Sequence, residues 1–356
     1  MTDILYVSGQ VPSDEVPIAG QKVAFSNLKE LATSYRIHCV AFLNDNERPF
    51  FQEDRLAFCE TLTVIHVSKI ERLVNVAKRI WLPAKVGGRF SNKVLKKLEE
   101  LIKTHNISEG YFEFTSVMHF AAMLRPSLRK ITFVEHDLTY QSLERRASQA
   151  SRFTQLFFQH ESRRMKHYEL RHLAMFEDII VLNEKDGVLL KDQGINNVRV
   201  SYPRVKLKKI QRQVQTGCLG FIGAMHRPEN EAAAIHFISN ILPLVLTQHE
   251  VEFWIIGANP SKKIQSIADS HPNVFVTGFV DRLEDYYSKV ELVVVPLLSG
   301  AGVKIKTIEA LSFGIPTIST PIGAEGVVNS DGLLRVAETS EEFAKAINAA
   351  LDDPQL

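Results

Sequence analysis

Residues 292–320, LVVVPLLSGAGVKIKTIEALSFGIPTIST, restrict the fold more than any other stretch of the chain. Leu292–Leu298 is an apolar run with three consecutive valines, the composition of a buried strand. Ser299-Gly300-Ala301-Gly302 turns the chain, Val303–Phe313 has helical spacing, Gly314 stands where a helix C-cap glycine belongs, and Pro316–Thr320 is a second β-rich run. Strand, glycine turn, helix and strand make a βαβ unit whose first loop is a natural anion site. Unpaired backbone N–H groups and the positive helix end converge there, and Gly300 and Gly302, on either side of Ala301, let a phosphate approach the backbone. Lys304 and Lys306 bring positive charge to the first turn, where the helix dipole disfavours cations unless an anion compensates. Glu309 follows Lys306 by three positions, so the two share a helix face with Cβ atoms roughly 5–6 Å apart. That spacing suits a nucleoside diphosphate, with Lys306 on the diphosphate and Glu309 accepting from ribose hydroxyls.

Elsewhere strands and helices alternate almost throughout. Ile4–Val7 and Ile37–Phe42 flank a helix-like stretch, Gln21–Thr33, and further strands are expected at Thr61–Val67, Gly110–Phe114, Ile131–Val134 and Ile179–Leu182. The polar, basic segment Arg204–Thr216 has no sustained apolar period. The alternation resumes with strands at Cys218–Ile222, Val251–Ile256, Val274–Thr277, Leu292–Leu298 and Ile315–Thr320, and helices around 230–246, 261–269, 282–289, 303–313 and 340–351. Such a pattern implies α/β architecture, parallel sheets with helices on both faces. At 356 residues the chain is too long for one typical core. We expect an N-terminal domain over 1–202, a linker over 203–216 and a C-terminal domain over 217–356.

Hydrophobic content of 45% and charged content of 23% describe a soluble globular protein, and a net charge of +1 does not mark the whole molecule as a polyanion binder. Cys39, Cys59 and Cys218 show no CxxC spacing, which suits a reducing compartment and argues against a cysteine-built zinc site. The N-terminus lacks a signal-peptide layout, and no apolar run approaches the roughly 18 residues of a membrane span. A cytoplasmic location is expected, with room for a peripheral position on the inner face of the membrane. SGAGVKIKT lacks the Gly-Lys-Ser/Thr ending of a P-loop, and neither GxSxG, HExxH nor Asp-x-Asp occurs.

The 292–320 block resembles the C-terminal signature of family 4 of the retaining nucleotide-sugar glycosyltransferases, which have the GT-B fold of two Rossmann-like domains facing each other across a cleft. The resemblance runs well from Leu219 to Asp353 and weakly over the N-terminal half. Members carry two glutamates separated by seven residues. Glu309 matches the second, which in the family holds the ribose; the first would fall at Ala301. The chain instead follows a variant, Gly-Ala/Ser-Gly-Val-Lys/Arg-x-Lys, in which the loop backbone and lysines take over part of the donor contact. Where many members place an Arg after Gly223 and a Lys a few residues on, this sequence has Ala224 and Glu229. Arg227 is then the candidate for the phosphates, beside a plain role as a surface arginine. Gly278-Phe279-Val280 matches the base-contact loop, beside its reading as a strand-end turn. On the N-terminal side, Thr132–Asp137 resembles the strand that ends in His-Asp; His136 would orient or polarise the donor sugar, with Asp137 beside it. Gly20, placed before the first helix, fits the glycine loop that approaches the phosphates. The resemblance implies a metal-independent hexosyltransferase without a cofactor, moving sugar with retention to a glycan or lipid-linked acceptor in surface polysaccharide assembly. A sugar-nucleotide epimerase or hydrolase on this fold, or a catalytically silent glycan-binding scaffold, are the alternatives. Members commonly continue past Asp353-Pro354 with helices that cross back; this sequence stops at Leu356, which would suit either a truncated chain or a weakly latched domain pair with large interdomain motion.

Two basic stretches bear on partners. Arg72–Leu98 holds eight basic residues and no acid, interleaved with Ile80, Trp81, Leu82, Val86 and Phe90, a composition suited to an anionic membrane surface. Lys85, Arg89 and Lys93 belong to that expected face. Residues 143–172 have seven Arg/Lys against three Glu. Ordinary solvated helices are the plain alternative for both. No aromatic stacking motif or zinc module points to nucleic acid.

Overall fold

The computed structural model describes residues 1–14, 19–45, 47–48, 51–203, 210–300, 302–329 and 331–353. Ala301, residues 204–209 of the expected linker and the last three residues lie outside them. Contacts divide the chain into two compact units, Met1–Arg204 and Val205–Leu356.

In the first unit β1 (Thr2–Ser8), β2 (Tyr35–Leu43), β3 (Thr61–His66), β4 (Glu109–Glu113), β5 (Lys130–Glu135), β6 (Asp178–Val181) and β7 (Val198–Val200) form one sheet, ordered β3-β2-β1-β4-β5-β6-β7. Every pairing is parallel. Leu5, Val7, Val40, Phe112 and Phe133 anchor its core. The second unit has β8 (Cys218–Ile222), β9 (Glu252–Ile256), β10 (Val274–Gly278), β11 (Leu292–Val295), β12 (Thr317–Ser319) and β13 (Leu334–Val336), ordered β10-β9-β8-β11-β12-β13 and again parallel. The central strands β1, β8 and β11 are buried almost throughout, which is why they read as near-continuous apolar runs rather than alternating ones. Strand order reverses between β1 and β4 in one unit and between β8 and β11 in the other. In open α/β sheets, ligands bind outside the carboxyl ends of strands at such reversals.

Several expectations need correcting. β11 stops at Val295 because Pro296 has no N–H for the ladder. The single helix expected over 230–246 is Pro228–His236, a π-turn at Phe237–Ile241, and Leu242–Val245 around Pro243. Gly20 lies inside the first turn of the helix Ala19–Leu31, not before it. Residues 210–216 are bound to the second unit: the Gln213 and Gln215 N–H groups donate to the Ser288 and Lys289 carbonyls, and Ile210 packs on the core. Arg89 is not on a basic face. It is 7% exposed, its guanidinium donates to Asn44 Oδ1 at 3.2 Å, and burial lowers its pKa to about 10. Lys85 is likewise engaged, donating to Thr139 Oγ1 at 2.8 Å. Among the described residues, no helix is long and apolar enough to cross a membrane.

Candidate functional site

Each unit gathers sequence-predicted residues at its strand reversal. In the second unit β8 leads directly into Gly223, and the helix Ile305–Ser312 follows the loop after β11. Lys306 points back from that helix to β8. Its ammonium donates to Asn230 Oδ1 at 2.7 Å and sits 4.4 Å from the Phe221 ring centroid. Asn230 in turn donates from Nδ2 to the Ala224 carbonyl at 2.9 Å, so one buried amide ties the lysine to the turn after β8. A Cβ on Gly223 would lie 2.7 Å from Lys306 Nζ and 2.8 Å from Asn230 Nδ2; glycine is needed for this approach. Desolvation, with Arg227 and Lys304 nearby, lowers the Lys306 pKa to about 7. Arg227, at the N-cap of Pro228–His236, therefore belongs to the same positive field. A half-buried ammonium crowded by two cations gives up its proton more readily than a solvated lysine.

Glu309 is buried one turn along the helix and accepts from Tyr287 Oη at 3.3 Å. Burial and Glu309 raise the Tyr287 pKa well above its usual value, keeping the phenol a donor. Lys304 differs from Lys306. Its buried ammonium is turned onto the Gly302 carbonyl and Glu325 Oε2, which lies 3.5 Å away, so it braces the loop. Gly300 and Gly302 have φ of +131° and +70°, backbone that L side chains rarely adopt. Gly314 closes the helix at φ +69° as a C-cap glycine should. Gly278, also at positive φ, Phe279 and Val280 stand at the end of the edge strand β10. Two strand spacings separate β10 from β8, about 10 Å. Phe279 is exposed and Val280 packs on the core.

In the first unit His136 follows β5 and is buried. Its Nε2 lies 3.0 Å from Glu113 Oε2, and Glu113 Oε1 accepts from Asn27 Nδ2 at 2.9 Å. A carboxylate can only accept, so Nε2 carries hydrogen and Nδ1 holds the lone pair in the neutral ring. That Nδ1 has no hydrogen-bond partner among the described residues. The ring stacks on Phe114 at 3.9 Å and 15°. Phe114 adopts φ +75°, a strained conformation for a bulky residue. A Cβ on Gly20 would meet Phe114 Cε1 at 3.0 Å and His136 Nδ1 at 3.5 Å, so this glycine borders the imidazole from the helix start. Asp137 is half-buried and takes no part in these bonds. At the end of β5, Glu135 accepts from Thr115 Oγ1 at 2.7 Å, and burial, with Glu169 beside it, pushes its pKa well up.

Thus Gly223, Arg227, Lys306 and Glu309 come together in one unit, and His136 and Gly20 in the other. Asn230, Tyr287, Glu113 and Phe114 escaped sequence reasoning because each lies far along the chain from its partner. Asn230, three residues after Arg227 at a helix start, was the most visible of them.

Residues 216–353 match the family described as "Glycosyl transferases group 1". A protein from the cps region of Klebsiella pneumoniae, of 44.6 kDa and described as uncharacterized, is 29% identical over 136 residues. The match spans 36% of this chain and 35% of that protein's length. Among solved structures, sucrose-phosphate synthase from Thermosynechococcus elongatus is similar with a TM-score of 0.70 at 15% identity, covering 99% of this chain and 90% of that one. Anabaena HepE in complex with UDP and glucose gives 0.63 at 13%, covering 99% and 91%. A mutant of S. aureus TarM in complex with fondaparinux, α-GlcNAc-glycerol and UDP gives 0.65 at 13%, covering 99% and 94%. These likenesses establish the fold, two parallel-sheet Rossmann-like domains as in GT-B glycosyltransferases.

Proposed function

We propose that the protein is a retaining glycosyltransferase that moves a hexose-type sugar from a nucleoside diphosphate to a glycan or lipid-linked acceptor, working peripherally at a membrane in surface polysaccharide assembly. The observation that carries this reading is the Lys306–Asn230 arrangement beside Arg227 and buried Glu309 at the β8/β11 reversal. Cations and a carboxylate a helical turn apart match the diphosphate and ribose of one nucleotide. The UDP in the HepE and TarM structures favours such a donor, and the cps-region relative favours polysaccharide assembly.

In this mechanism the C1–O bond to the diphosphate breaks with its electron pair passing to the leaving oxygen. Lys306 and Arg227 stabilise that growing charge without a metal. The acceptor hydroxyl attacks C1 on the same face and gives its proton to a phosphate oxygen. Asn230 keeps the ammonium in place, and His136, fixed by Glu113, presents Nδ1 as an acceptor for a donor-sugar hydroxyl. Gly278–Val280 would flank the base. Incubation with a panel of radiolabelled nucleotide sugars and lipid-linked or free glycan acceptors tests the reading. Acceptor-dependent incorporation is expected. Turnover without acceptor would favour an epimerase or hydrolase, and no binding of any nucleotide sugar would overturn it.

A further inference from the structure

The helix Lys69–Lys78 is built inside out. None of its ten residues is buried. Four of its five apolar residues, Ile70, Leu73, Val74 and Ala77, have the i, i+3, i+4, i+7 spacing that normally marks a core-facing stripe, and the fifth, Val76, lies off it and is half-buried. All four are exposed, and the stripe continues beyond the helix into Ile80 and Trp81. Ile70 and Ile80 are 75% exposed, Leu73 and Trp81 71%. Val76 and two polar side chains face the protein instead: Asn75 Nδ2 donates to the Gly88 carbonyl at 3.4 Å and the Arg79 guanidinium covers the Phe90 ring at 4.7 Å. The orientation is therefore fixed by bonds, not by chance exposure of a loose segment. Arg164, on the helix Arg152–Leu173, donates to the Ile80 and Leu82 carbonyls and clamps the end of the stripe. Seven residues before Arg164, two turns and about 10 Å along the same face, stands exposed Phe157, with exposed Leu156 beside it.

We infer that this face seats the first unit on an anionic lipid surface, with Leu73, Ile80 and Trp81 entering the headgroup region. Charge selects this occupant. Exposed Lys69, Arg72 and Lys78 alternate with the apolar residues on the helix, which carries one acid, Glu71. A protein-facing patch is commonly depleted in lysine at its centre, whereas cations interleaved with Leu, Ile and Trp suit phosphate headgroups above acyl chains. The assignment deepens the peripheral reading above and rests on it. It moves the centre of that face to Ile70–Trp81, away from Lys85, whose ammonium is bonded to Thr139, and from buried Arg89.

The test is flotation with vesicles of phosphatidylglycerol and phosphatidylcholine, compared with phosphatidylcholine alone, using wild type, Leu73→Asp/Ile80→Asp and Arg72→Glu/Lys78→Glu. Each position is exposed, so nucleotide affinity and the circular dichroism spectrum should be unchanged in all three. Wild type should float with the anionic vesicles at low salt, and both variants should bind at least tenfold more weakly. Removing one cation is worth on the order of fivefold, screened as salt rises. In a Trp254→Phe background, Trp81 fluorescence should shift to the blue on adding anionic vesicles. Wild type that stays soluble at low salt would overturn the inference. So would wild type that self-associates and becomes monomeric on Leu73→Asp, because the face would then be a contact between copies. Either result leaves sugar transfer in the panel assay untouched, so the two readings fail separately.

Discussion

The two strand reversals are built from opposite charge. At β8/β11 the chain crowds Lys306, Arg227 and Lys304 around a glycine turn and lowers the Lys306 pKa to about 7. At β1/β4 it places Glu113 against His136, with Glu135 buried next in sequence and pushed well up. The same sheet topology therefore carries a cluster of cations in one unit and an imidazole backed by a carboxylate in the other. In such sheets topology sets where a ligand can bind, and the loop residues decide the chemistry it meets.

The largest effect should come from Lys306→Ala. Charge on the leaving diphosphate grows in the transition state, so losing this ammonium should lower kcat by roughly 10²–10³-fold, with a smaller loss in donor affinity. Steady-state kinetics with Lys304→Ala alongside sharpens the point. Lys304 is spent on Gly302 and Glu325, so its loss should act through loop stability. A crippled Lys304→Ala beside a near-normal Lys306→Ala would put the phosphate contact on the wrong lysine.

Glu113→Gln addresses the other unit. An amide can turn its NH₂ toward Nε2 and select the opposite tautomer, which converts Nδ1 from acceptor to donor. Turnover should fall about 10²-fold, as for a misplaced contact near the chemistry. On the proposed reading nucleotide affinity rests on the second unit, so it should stay at the wild-type value when titrated by calorimetry. Equal losses in affinity and turnover would break the division of labour.

These two variants also mark where sequence reading succeeds and stops. The strand Cys218–Ile222, the helix after Gly302 and the Lys306/Glu309 pair were legible because each is a local pattern. The edge strands Val198–Val200 and Leu334–Val336 were not; three residues with a central arginine show too little period to register. Asn230, Glu113 and Tyr287 remained hidden because their partners lie 76, 23 and 22 positions away. Arg89 shows the converse: in sequence it was one of a run of cations, and only packing reveals it as an interior residue.

Glu309→Ala should weaken nucleotide binding by about 1.5–3 kcal/mol, the worth of charge-assisted hydrogen bonds to ribose, with the fold intact. Tyr287→Phe removes only a neutral donor from the same carboxylate and should cost about 0.5–1.5 kcal/mol. If the tyrosine variant bound more weakly than the glutamate variant, Glu309 would be a core carboxylate and not a ribose contact.

The smallest effect concerns pH. On the proposed reading a nucleotide sugar binds the protonated form of Lys306, and its diphosphate does not titrate near neutrality. Donor affinity should therefore fall about fivefold between pH 7 and 8 and approach tenfold per unit above that, until the bound lysine itself titrates. Folding stability without ligand carries the opposite sign. Between about 7, the folded pKa, and 10.5, the ordinary lysine value, the unfolded chain binds more protons, so this group's contribution to stability rises with pH. Lys306→Met should remove both slopes, while Glu113→Gln should leave the donor-affinity slope in place. Calorimetric titrations from about pH 6.5 to 9, spanning the lysine's titration, distinguish the cases. A slope that survives in Lys306→Met would assign the titration to another group and remove the lysine's readiness for an anion as the feature that separates the two sites.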